Sequence, residues 1–102
     1  MKLTIPRNKW MNDPNVLAQI AHVLGGFAIV LTVAYCVRAH RPRALAFAVG
    51  VAAIGVIAYA AVKEFWYDPN YEDPPQTTAD NVIDFVSYVV GAAIGAAFAV
   101  WV

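Results

Sequence analysis

Five side chains able to move protons or hold a metal stand out in a chain with only seven acids: His22, Glu64, Asp68, Asp80 and Asp84. Carboxylates and an imidazole brought together can bind a divalent cation, or divide general acid and general base roles between them. Either chemistry requires residues 22, 64–68 and 80–84 to meet in space. The plainer expectation is that Asp80, Lys63 and Glu64 are solvated helix ends and that Asp84 pairs with Lys63 or His22. No H-x-x-x-H, paired cysteine or compact ligand triplet accompanies the five, so the metal itself is unspecified.

The elements that must position them follow from composition. Of 102 residues 61% are hydrophobic and 14% charged, outside the mix of a water-soluble domain. No Lys, Arg, Asp or Glu falls in residues 14–37, 44–62 or 85–102. A helix needs about 20 apolar residues to cross a bilayer's hydrocarbon core, and only a helix satisfies its own backbone there. The expectation is an all-α, three-transmembrane-helix up–down–up bundle forming one membrane domain. It divides into an interfacial N-terminal tail 1–15, spans 16–37, 44–63 and 80–102, and an acidic aromatic loop 64–79. No secretory signal peptide is evident, since the first apolar run follows fifteen mostly polar residues. Asp13-Pro14 suits a helix start, and Thr77 with Asp80 has capping-box spacing. The lone Cys36 can form no internal disulfide and reads as a lipid-facing thiol. Redox-dithiol, nucleotide and nucleic-acid functions find no motif in the chain.

An up–down–up path puts the start of span one, the end of span two and the start of span three in one leaflet, where all five candidates fall. Helical spacing groups Asn15, Gln19, His22 and Gly26 on one face of span one, and Asp80, Asp84, Ser87, Tyr88, Gly91 and Gly95 on one face of span three. Span two carries Gly55 and Tyr59 on the stripe leading to Lys63. Transmembrane helices pack through small residues and hydrogen bonds, so Gly26, Gly55, Gly91 and Gly95 are expected at helix contacts. Ala18-x-x-x-His22 is also the spacing with which light-harvesting helices ligate a bacteriochlorophyll. A bacteriochlorophyll or a divalent metal at His22 therefore stands beside a hydrogen-bonded structural histidine; no other cofactor is expected.

The spacing Asp84-x-x-x-Tyr88-x-x-Gly91-x-x-x-Gly95, preceded by Lys63-Glu64 and His22, resembles the VanZ-like membrane proteins, and more closely the YfiM-like putative lipoproteins, over roughly residues 18–96. Gln19 stands where these families usually carry Lys, Tyr88 where they carry Asn or Asp, and no lipobox cysteine is present. The resemblance implies a small helical membrane protein whose His/Asp/Glu site acts on a lipid-linked or envelope substrate.

Phe65, Trp66, Tyr67 and Tyr71 beside acids and prolines suit an interfacial belt or a partner surface. With little soluble mass and no obvious reaction centre, the leading reading is non-enzymatic. It makes the chain an accessory subunit stabilising a larger respiratory or photosynthetic complex of the bacterial inner membrane, in contact with lipid and other transmembrane subunits. The VanZ-like site is the alternative. Arg38, Arg41 and Arg43 in the short turn favour a cytoplasmic turn, hence N-out and C-in.

Overall fold

In the computed structural model, residues 14–71 and 77–101 are described. Among them only Arg41 and Thr77 lie outside a helix. Helix α1 runs Pro14–His40, starting at the proline that the sequence places in a first helical turn. Arg41 precedes Pro42 and takes φ −144°, the extended backbone that a following proline imposes, which ends α1. A 3-10 turn, Pro42–Ala44, reverses the chain into α2, Leu45–Val62.

The helix does not stop there. It continues through a π-helical turn, Lys63–Tyr67, into α3, Asp68–Tyr71, so the predicted loop 64–79 is corrected to a helix as far as Tyr71. Pro69 has no N–H to give to Phe65, and in a regular α-helix its ring would press on that carbonyl. Widening the preceding turn relieves the clash, and the Asp68 N–H reaches back five residues to the Lys63 carbonyl. The Asn70 side-chain amide donates to the Trp66 carbonyl and helps close the last turn. The final helix α4, Thr78–Trp101, opens under the cap expected from sequence: Asp80 N–H donates to Thr77 Oγ1 at 3.2 Å and Asn81 N–H to the Thr77 carbonyl at 3.1 Å. The interfacial tail with its Asp13 cap, and the acids Glu72 and Asp73, lie outside the described residues.

Three helical stretches, Val16–His40, Pro42–Tyr71 and Thr78–Trp101, are long and apolar enough to cross a membrane. Leu17, Leu24, Phe47, Ile54, Ile83 and Ile94 point outward, as residues do where lipid is the solvent. This is the build of a multi-pass membrane protein. The predicted span one is extended at its C-terminal end by three residues, to His40, and span two by eight, to Tyr71.

The core is thin and made of small residues, with Val30, Ala34, Val49, Val56, Ala92 and Ala99 buried together. Helices α1 and α4 form the closest pair, and α2 lies against both. A Cβ on Gly91 would overlap the Val23 carbonyl oxygen and stand 2.9 Å from the Val23 Cα. One on Gly26 would stand 2.8 Å from the Tyr88 oxygen, and one on Gly95 would stand 3.0 Å from the Phe27 oxygen. Backbone therefore meets backbone across α1 and α4, as the glycine ribbon predicts. Gly55 is corrected: it is exposed, and a Cβ there meets nothing within 4 Å. At the far end Arg38 Nη2 donates to the Ala99 carbonyl at 2.8 Å, supplying a partner to the last turn of α4.

Candidate functional site

Three helices each deliver one ligating group to the same place. His22 sits in the third turn of α1, Glu64 in the π turn after α2 and Asp84 in the second turn of α4. One ligand atom from each lies within 4.8 Å of the other two. The glycine contact between α1 and α4 lies one turn deeper and holds His22 against its partners. Its ring stacks on Tyr88 at 4.4 Å, and its Nε2 stands 3.6 Å from Asp84 Oδ1, too long for a hydrogen bond. Tyr88 in turn meets Tyr59 of α2 edge-on at 6.1 Å.

Glu64 has no exposed surface, and Asp84 is 5% exposed. Lys63 Nζ approaches Glu64 Oε1 to 3.0 Å and Asp68 Oδ2 to 2.9 Å. The π turn makes this bridge. In an α-helix, residues five apart point about 140° away from each other, whereas i→i+5 closure brings residues 63 and 68 onto one side. Glu64 Oε2 and Asn81 Oδ1 remain buried without a hydrogen-bond partner among the described residues. Asp84 is held differently. Gln19 Nε2 donates to its Oδ1 at 2.6 Å, while Gln19 Oε1 accepts from Ser87 Oγ. That hydroxyl lies 2.9 Å from the Ile83 carbonyl one turn back.

Of the five sequence-selected residues, then, His22, Glu64 and Asp84 converge. Asp68 reaches them only through Lys63. Asp80 stays outside, half-buried in the capped first turn of α4. The helix-end expectation fails for Glu64, which is the most enclosed acid of the bundle; the pairing of Lys63 goes to Glu64 and Asp68, not to Asp84. Gln19 and Ser87 were legible only as part of a polar stripe. Asn81, three residues before Asp84 on the same face and 4% exposed, was missed; its i, i+3 spacing was the available signal.

The two groups expected at His22, a bacteriochlorophyll and a divalent metal, make different demands on its surroundings. Tyr88 covers one face of the imidazole and Asp84 stands at Nε2, where a macrocycle would need open space. A metal ion's smaller demands are compatible with the same atoms. Phe65, Trp66, Tyr67 and Tyr71 are all about half exposed or more, with Phe65 leaning on Phe85 of α4 at 5.3 Å. A mostly apolar groove of about 270 Å³ runs between Tyr59, Val62, Lys63 and Tyr67. Comparison with protein-family models, curated proteins and solved structures gave no match.

Proposed function

We propose that the chain is a small multi-pass protein of the bacterial inner membrane that works through the His22/Glu64/Asp84 site on a lipid-linked or envelope substrate, as the VanZ-like resemblance implies. The observation that carries this reading is Glu64: a carboxylate with no exposed surface and one oxygen unpartnered. Ionisable groups inside a membrane domain cost a few kcal/mol each, so a bundle needed only for packing has no use for one. The groove beside Lys63 supports the substrate class, because it offers apolar walls to a lipid chain. In this reading His22, Glu64 and Asp84 are the working groups, Lys63 orients Glu64 and Asp68, and Gln19 orients Asp84. The orientation is N-out and C-in, which faces the site to the periplasm.

One observation favours the accessory-subunit reading instead. Trp66 meets Tyr71 edge-on and Tyr67 meets it tilted, yet all three remain exposed, an aromatic surface suited to another transmembrane subunit of a larger complex. The test is complementation in a host strain lacking the protein. Glu64→Gln and Asp84→Asn variants that insert, fold and run as wild type in mild detergent should fail to restore envelope-antibiotic tolerance. Full rescue by both, together with retention of a larger complex on the purified wild type, would instead establish the accessory subunit.

A further inference from the structure

We infer that His22, Glu64 and Asp84 form a binding site for a divalent transition-metal cation, of the kind represented by Zn²⁺. Charge gives the first reason. Glu64, Asp68 and Asp84 are all buried, and Lys63 is the only ammonium bonded to them among the described residues. Three carboxylates against one cation leave two negative charges, which one divalent ion balances. Gln19, which holds Asp84, is an amide and adds no charge.

Geometry gives the second. A tetrahedral ion with bonds of about 2.0–2.1 Å sets its ligands about 3.4 Å apart, and His22 Nε2 and Asp84 Oδ1 already stand 3.6 Å from each other. The third ligand lies within 4.8 Å of both. Glu64 Oε2 is buried and unpartnered, so it is free to ligate while Oε1 keeps Lys63. One imidazole with two carboxylates is a mixed nitrogen–oxygen set, suited to zinc and its first-row neighbours better than to calcium or magnesium. The surrounding bonds act as the outer layer that metal sites require: Lys63 fixes Glu64 and Gln19 fixes Asp84. Three protein ligands leave a fourth position open, as catalytic zinc sites do.

This inference deepens the proposed function and names the ion of that site, so its test carries separate readouts. The full chain, purified in mild detergent through a tag without histidine and stripped with chelator, is titrated with Zn²⁺. Co²⁺ replacement then reports coordination by its visible absorption. We expect one equivalent bound per chain, a spectrum of low coordination number, and at least tenfold weaker binding in Glu64→Gln and in Asp84→Asn. Asp80→Asn, outside the cluster, should bind as wild type. No saturable uptake by folded wild-type protein, or equal uptake by Glu64→Gln, overturns the metal site whatever the complementation result. If Zn²⁺ binds as expected while both variants restore the host, the metal site stands and the proposed function falls.

Discussion

Gln19 shows how much one uncharged side chain decides. Its amide bridges Asp84 and Ser87 and leaves the Asp84 charge uncompensated within the described bundle. Gln19→Lys would place an ammonium beside that carboxylate. The expected outcome is loss of Zn²⁺ uptake by at least tenfold, with helix content unchanged by circular dichroism, because the new cation takes the ion's electrostatic role. Lys63 is the opposite case. Lys63→Met leaves Glu64 and Asp68 without their shared ammonium, and removing one member of a buried charge network costs about 3 kcal/mol or more. A fall in the thermal midpoint of detergent-solubilised protein checks this, and saturating Zn²⁺ should recover part of it, since an ion that binds only the folded state stabilises it.

The helices were more legible than the side-chain partners. Three uncharged stretches, the Asp13-Pro14 and Thr77 start signals and the glycine ribbon in α4 all point to spans, because a lipid solvent leaves little choice of backbone. The proline- and acid-rich stretch after Val62 misleads for a physical reason: Pro69 usually ends a helix, but here the π turn absorbs it and carries the helix to Tyr71. Which carboxylates meet was only half legible. A shared leaflet follows from topology, but the rotation of each helix is set by contacts such as Gly91 on Val23, where spacing alone leaves Asp80 and Asp84 equivalent. That contact is directly testable. Gly91→Ala drives a Cβ into the Val23 carbonyl and should cost about 1–3 kcal/mol through overpacking. Gly55→Ala meets open space and should be neutral, or stabilising by up to about 1 kcal/mol from helix propensity. Comparative melting of the two variants decides the point. Arg38 was read only as a topology charge; its bond to Ala99 was not legible, because it depends on where a helix 61 residues later ends.

For the bundle as a whole, the arrangement implies that the 41–44 turn and the start of α4 face opposite sides of the membrane. In a Cys36→Ser background, a membrane-impermeant maleimide should label an Ala79→Cys variant on intact spheroplasts. An Arg43→Cys variant should label only after permeabilisation. The reverse pattern would invert the orientation, and labelling of both from outside would remove one crossing. The close partners α1 and α4 are also the first and last helices among the described residues, and this has a bearing on biogenesis. Glu64 precedes Asp84 by 20 residues, so until α4 has inserted beside it, Lys63, its immediate neighbour, is the counter-charge travelling with it. A chain truncated before α4 would leave a two-helix hairpin holding Glu64 in the bilayer without its α4 neighbours. Such truncated chains should be degraded faster than the full-length protein, which ties the survival of the first two spans to the arrival of α4.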